Sequence, residues 1–543
     1  MKYLLIPILI VLTLHLNIYS QQGQKSSSLI FEDNYRLYPS NVNQWEVSIV
    51  KHPANPNILF SSANALTINP FFFISEGIYV TTNGGTSWRG NDTCTGQIIT
   101  FHGGDPGIII DKNGTFILTR KGATSGIYSH FSTDNGLTWS DQKVISTEDT
   151  APEKASLVSD VNQTSSYFGR SYASWVKLAL PFPVMYVYTD DGGQNWSSPQ
   201  TINNPAQRSA NSEMAINPNG KLFVCWATLT ISSPFTEDYV GFATSTDGGT
   251  NWSVDENVFD MNGIAGLLPQ KSNIRVNGVP KIAVDTSGGQ RDGWIYIVTG
   301  QQNLDPAGSD PDIILNRSTD GGQTWSQGIR VNQDLKDNGK IQLFPAIAVD
   351  QNGGLNIIFY DDRNTTSDSL GMFLARSEDG GDNWREFEIS DHNFKPVPVG
   401  GFQGKMGDNI GITTSNEKLF PVWMDNSTGI YQIWTVPIEI SSVKVENETE
   451  LPKEYSLNQN YPNPFNPSTI ISWQTPIATW QTLKIYDALG NEVATLVDEY
   501  RPAGKYKIEY NPATYIQKSA SGIYFYQLRT EWFVETRKMM LLR

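Results

Sequence analysis

Side chains that could carry chemistry recur at two kinds of position in this sequence. Glu46, Asp105, Glu213 and Asp408 stand at or beside the start of a strand that opens a hairpin. Asp361, Asp362 and Asp425 fall where the second strand of a hairpin ends. Arg120 and Arg363 follow second strands, Arg208 and Arg275 precede first strands, and Tyr360 and Trp423 end second strands in equivalent places. Carboxyls gathered on one face could divide general acid and general base work between them. The same hard oxygen ligands could instead take a calcium ion. Guanidinium forks pair bidentately with carboxylates, and Tyr360 and Trp423 could stack on a sugar ring. Local roles compete with each of these. Arg363 stands next to Asp361 and Asp362 and can staple its own loop, the acids can cap strand starts, and the two aromatics can pack between sheets.

The elements that place these residues follow from an internal repeat. An octamer of the form Ser/Thr-x-Asp-x-Gly-x-Thr-Trp recurs as Thr81–Trp88, Ser132–Trp139, Thr189–Trp196, Ser245–Trp252, Ser318–Trp325 and Ser377–Trp384. Successive Trp residues are 51, 57, 56, 73 and 59 residues apart. Its composition describes a stapled turn. The Asp carboxylate accepts backbone N–H groups inside the turn, Gly supplies positive φ, and the Trp folds back as an apolar plug. A structural role is therefore expected for Asp134, Trp139, Asp191, Trp196, Asp247, Trp252, Asp320, Trp325, Asp379 and Trp384.

An apolar strand precedes each octamer, and a hairpin such as Gly107–Arg120 or Glu213–Ala227 precedes that strand. One unit thus reads strand, turn, strand, loop, strand, octamer, strand, which is the plan of a propeller blade. First hairpins begin near Val47, Gly107, Leu157, Met214, Lys281, Ala346 and Asn409. The count predicts an all-β, seven-bladed β-propeller, with six blades as the alternative if the irregular third unit is misread. The last unit lacks a fourth strand, and Leu29–Leu37 is expected to supply it and close the ring. On this plan the octamers lie on the face opposite the mouth, and the acids and arginines named above lie on the mouth side.

The octamer resembles the Asp-box, or BNR repeat, of sialidases and related propellers, over roughly residues 29–440. The resemblance implies action on extracellular glycans. A sialidase clamps the substrate carboxylate with an arginine trio and uses a Tyr nucleophile with a Glu partner and an Asp acid–base. Carried onto this chain, the catalytic candidates are Asp105, Glu213 and Tyr360. The substrate-binding candidates are Arg120, Arg208, Arg275, Arg363 and Trp423. Two departures stand against an exo-sialidase: the first inner strand reads Trp45-Glu46-Val47 with no arginine, and seven blades exceed the six of sialidases. A non-catalytic propeller that binds polysaccharide or protein is the first alternative, and a polysaccharide lyase the second.

A second module ends the chain. Leu457–Trp473, Leu483–Val497, Ala503–Tyr510, Ser521–Thr530 and Glu535–Arg543 closely resemble the C-terminal sorting domain of the type IX secretion system of Bacteroidetes-like bacteria. Such domains are small β-sandwiches, and the secretion machinery is the implied partner. The expected organisation is a signal peptide over 1–20, the propeller over 21–440, an acidic linker over 441–453 and the sorting domain over 454–543. Lys2, the apolar run Leu4–Leu16 and a cleavage site at Ile18-Tyr19-Ser20 carry the signal-peptide reading. The protein is expected to be secreted or displayed at the cell surface.

Composition narrows the partners. The net charge is −16 and no basic run exists, which excludes nucleic acid as a partner and disfavours adsorption to anionic membranes. No later segment is long and apolar enough to span a membrane. Five histidines stand outside any zinc-ligand spacing. Cys94 and Cys225, the only cysteines, fall in different units and are expected to be free thiols. No organic cofactor is implied, calcium stays open for the mouth acids, and a monomer is expected.

Overall fold

A computed structural model describes residues 28–68, 71–92, 103–122, 125–150, 153–399, 404, 406–441, 452, 454–515 and 520–542. The signal-peptide residues, Cys94 and nearly all of the acidic linker lie outside the described residues. The described chain is all-β apart from one 3-10 turn, Pro269–Lys271, and one turn of α-helix, Pro512–Tyr515. It separates into two compact units, Ser26–Ser442 and Val443–Arg543.

The larger unit holds six four-stranded antiparallel sheets and one six-stranded sheet. Their first strands are Asn43–Lys51, Gly107–Ile110, Ser156–Ser159, Arg208–Ile216, Lys281–Val284, Gln342–Val349 and Gly411–Ser415. Each of these touches the first strands of the sheets before and after it, and the last touches the first, so the inner strands form a closed cycle. Closure comes from the N-terminal segment. Tyr35–Arg36 adds as the outer strand on Gln432–Thr435, and Ser28–Phe31 pairs with Ile438–Ser441. The Trp88 indole N–H donates to the Tyr35 hydroxyl at 3.2 Å, tying the first sheet to the last.

The octamer turns form because their side chains satisfy them locally. Asp134 Oδ1 accepts the Leu137 and Thr138 N–H groups at 3.0 and 2.9 Å, and Asp134 Oδ2 accepts the Thr138 hydroxyl at 2.6 Å. These bonds to the charged form hold the Asp134 carboxyl down at about 2. The same bond from the fourth residue on reaches Asp191, Asp247, Asp320 and Asp379. Each Trp then plugs the seam to the preceding sheet. Trp139 meets Phe60, Trp252 meets Tyr186 edge-on at 5.2 Å, and Trp325 meets Phe242 edge-on at 5.1 Å. Trp196 donates to Ser129 Oγ at 2.8 Å across the same kind of seam.

Strands in the middle of a sheet are covered on both faces by neighbouring sheets, so Ile295–Gln301 and Leu355–Asp361 are buried along their whole length. Cys225 sits in such a strand, fully buried. The smaller unit pairs a three-stranded with a four-stranded sheet. Their inward residues, Ile471, Trp473, Leu483, Ile485, Tyr526 and Leu528 among them, share one core. The strict alternation of Thr469–Thr475, buried at every second residue, is that of a sheet with one face inside.

Candidate functional site

Inner strands of the larger unit surround a cavity of about 1120 Å³. β-bulges aim several side chains into it. The register shifts between Trp45 and Ser48 and between Ala210 and Glu213, and Glu46 and Asn211 take positive φ of 59° and 47° there. Asp105 also has positive φ, 57°. A residue so held turns its side chain off the pleat and toward the centre.

The cavity floor alternates acids with lysines. Lys121 pairs with Asp105, which also exchanges hydrogen bonds with Asn64. Lys281 Nζ lies 2.6 Å from Glu213 Oε1, and Ser156 donates to Glu213 Oε2 at 2.9 Å. Burial pulls the Glu213 carboxyl upward, but Lys281 and Lys154 outweigh it and hold it below the usual carboxylate range. Glu46 Oε2 accepts the Asn409 amide and backbone N–H, at 2.5 and 3.0 Å. The Asn277 amide donates to Asp408.

The wall differs from the floor. Glu237 opens the strand Glu237–Ser245 and is 6% exposed. Its Oε1 accepts a long bond, 3.4 Å, from the Gly278 N–H, and its Oε2 has no hydrogen-bond partner among the described residues. The space beside it exists because residue 263 is glycine: a Cβ there would stand 2.3 Å from Glu237 Oε2. Burial pushes the Glu237 carboxyl up to about 7. Next to it runs a hairpin outside the ring of sheets, Gly266–Leu268 paired with Ile274–Val276. Lys271 roots this hairpin in the sixth sheet through a buried ion pair with Asp362 at 2.7 Å.

The sequence candidates divide. Asp105, Glu213 and Arg275 line the cavity, together with Glu46 and Asp408. Arg275 sits on the extra hairpin and not on the approach to the fifth sheet. Arg208 stands beside the cavity residue Phe235, its guanidinium 4.0 Å from that ring and 4.7 Å from Phe182. Arg120 and Arg363 do not join them. Arg120 is turned inside the second sheet, bonded to Gln142 Oε1 at 2.6 Å and to His130. Arg363 forks onto Glu386 at 2.7 and 2.8 Å and bonds Asp361 at 2.8 Å, which is the staple its neighbours suggested. Tyr360 is fully buried with its hydroxyl donating to Met424 O at 2.7 Å, and burial holds that hydroxyl well above its ordinary range. Trp423 is buried too, its indole N–H on Asp425 Oδ2 at 3.1 Å. An arginine clamp with a tyrosine beside it is thus not assembled at the cavity. No cluster of three or more His, Cys, Asp or Glu side chains is placed to hold a metal ion among the described residues.

Glu153, Glu237, Lys121, Lys154 and Lys281 are charged cavity residues that sequence reasoning missed. Glu237 carried a signal: it begins a third strand directly after a loop joining second to third strands, which is a mouth position. Lys281 opens a first strand, but a search for acids and arginines passed over it.

Residues 181–396 match the BNR repeat-like domain, and residues 459–541 match the secretion system C-terminal sorting domain. No curated protein matches. Among solved structures, a protein of unknown function from Dyadobacter fermentans is 11% identical, with a TM-score of 0.42 over 76% of this chain and 99% of that one. A polysaccharide lyase of family PL25, an ulvan lyase, is 12% identical, with a TM-score of 0.46 over 72% of this chain and 93% of that one. The leech intramolecular trans-sialidase is 12% identical, with a TM-score of 0.39 over 64% of this chain and 68% of that one. No helix among the described residues is long and apolar enough to cross a membrane. The chain carries a BNR repeat-like domain over residues 181–396 and, over residues 459–541, a C-terminal sorting domain that implies export by a type IX secretion system.

Proposed function

We propose that this is an exported protein that cleaves extracellular glycans at the central cavity of a seven-bladed propeller. The closed cycle of seven inner strands supports the blade count, and the sorting domain supports delivery outside the cell. One observation carries the catalytic reading. Two carboxyls of the same cavity are driven apart in acidity, Glu237 up to about 7 by burial and Glu213 downward by its lysines. Environments that split two acids in this way define a proton donor and an ionised partner. Glu237 stays partly protonated near neutral pH, where an ordinary carboxyl is ionised, and gives its proton to the leaving glycosidic oxygen. Glu213, ionised and fixed by Lys281 and Ser156, stabilises the positive charge that develops on the sugar until water adds at the anomeric carbon and returns a proton to Glu237. A sialidase-type mechanism through Tyr360 is not part of this reading, since that hydroxyl is committed to the Met424 backbone.

A second reading, saccharide binding without turnover, draws on the ion pairs Lys121–Asp105 and Lys281–Glu213, which occupy two of the cavity's acids. The test is a panel of aryl glycosides and extracellular polysaccharides, incubated with the full-length protein and with Glu237→Gln. New reducing ends in the wild type alone support hydrolysis through Glu237. Unsaturated ends would replace it with a lyase. Retention of a polysaccharide with no product would favour the binding reading.

A further inference from the structure

The charges of the cavity exclude one class of glycan. Six carboxyls line it against four bases, and none of the bases stands clear of them. Lys121 pairs with Asp105 and Lys281 with Glu213. Lys154 is set among Glu213, Glu46 and Asp105, and Arg275 acts on Glu237. An anionic saccharide would meet its own sign there, and a neutral one would not. A pyranose also carries an apolar face of C–H groups, and a flat aromatic ring is the side chain that matches it.

Two neighbouring loops supply such a ring. One joins Ser171–Val176 to Val184–Thr189 in the third sheet, and the other joins Leu222–Leu229 to Glu237–Ser245 in the fourth. Each holds a phenylalanine in the left-handed region, Phe182 at φ 66° and Phe235 at φ 59°. Bulky side chains resist that region, and they stay in it only where the surroundings fix them. Arg208 fixes both, its guanidinium lying over the Phe235 ring at 4.0 Å and over the Phe182 ring at 4.7 Å. The two rings then differ in what else covers them. Phe182 packs on the apolar core shared by the third and fourth sheets. Phe235 packs on no apolar core among the described residues. It is only partly buried and lines the cavity two residues before Glu237, with Leu178, Leu229 and Leu267 lining the same space. We propose that Phe235, held rigid by Arg208, is the platform on which the apolar face of a pyranose stacks beside Glu237, and that the glycan of this cavity is a neutral pyranosyl polymer. This rests on the cavity being the glycan site, and it adds the chemical class of the glycan and the residue that selects it.

The experiment is affinity electrophoresis of the full-length protein through gels containing a neutral β-glucan, galactan, mannan or xylan, with polygalacturonate and dextran sulfate run beside them. Retardation by at least one neutral polymer, and by neither charged one, is the expected result. Phe235→Ala should weaken that retention about tenfold, the loss of one stacked ring. Phe235→Tyr keeps the ring and should hold the polymer as the wild type does. Trp532→Ala, at an exposed indole of the smaller unit, should leave retention unchanged, and thermal melts confirm that each variant is folded. Folded protein retarded by none of the neutral polymers, or only by the charged ones, would overturn the proposal. Retention that Phe235→Ala leaves intact would overturn it too. Leu267→Arg, which puts a long cation into the cavity from the hairpin wall, then separates two causes. Retention lost in that variant keeps the cavity as the glycan site and removes this proposal alone, whereas retention unchanged in both variants removes the cavity as the glycan site as well.

Discussion

Replacing Glu237 by glutamine keeps the shape of the side chain and removes its proton equilibrium. Burial raises this carboxyl from its ordinary 4.5 to about 7. Each pH unit of such a rise is about 1.4 kcal/mol, so the group stores about 3 kcal/mol of pH-dependent stability. The sign follows from the direction. The folded state holds the proton more tightly than the unfolded chain. Its contribution is therefore complete below the unfolded value of 4.5 and is lost as pH rises through about 7. Glutamine has no such loss. The unfolding free energy of Glu237→Gln minus that of the wild type should therefore grow by about 3 kcal/mol between about pH 5 and pH 8. Other titrating groups, Asp361 among them at about 6, are common to both proteins and cancel in the difference. Denaturant unfolding at the two pH values, followed by tryptophan fluorescence, reads the quantity. A difference that stays constant across that range would refute a buried, proton-holding Glu237.

Other outcomes follow from the same geometry. The bond from His392 to Asp425, with a second to Asp391, raises the His392 imidazole to about 9. Its stabilisation is present below the unfolded value of 6.5 and fades as pH rises through about 9; the melting temperature of His392→Gln should lose this pH dependence. Arg363→Met leaves the buried Asp361 and its neighbour Glu386 without their cation and should cost about 3–5 kcal/mol in chemical unfolding, with retention of a cavity ligand unchanged. Trp325→Ala empties the plug between the fourth and fifth sheets and should cost about 3–5 kcal/mol in the same assay.

Features built from neighbours in sequence were legible, and those built across sheets were not. The octamer turn was readable because Ser132, Asp134, Gly136 and Thr138 satisfy one another within seven residues. The closing strand was readable as a missing count, and Tyr35–Arg36 fills the place expected for it. Asp105 reached the cavity because it stands just before a first strand, and Glu213 because the bulge after Ala210 turns it there from within its strand. Arginines were harder, since a long side chain goes where its partners are. Gln142 and His130 hold Arg120 inside its sheet, and Glu386, from a different strand, holds Arg363. Tyr360 failed for a reason of parity: at the end of a fully buried strand it packs against Phe344 and Phe394 on the covered face. Glu237 needed the fold, because the space around its carboxyl is set by Gly263 and Gly278, which belong to a later segment of chain.

The decisive measurement is kcat/KM against pH on a polysaccharide that the full-length protein cleaves, for the wild type and for Glu237→Gln. A proton donor held at about 7 predicts a wild-type profile that falls as pH rises through about 7, and a loss of at least about a hundredfold in the variant. Wild-type rates in Glu237→Gln, or a profile flat through that pH, would contradict catalysis by Glu237 at the central cavity.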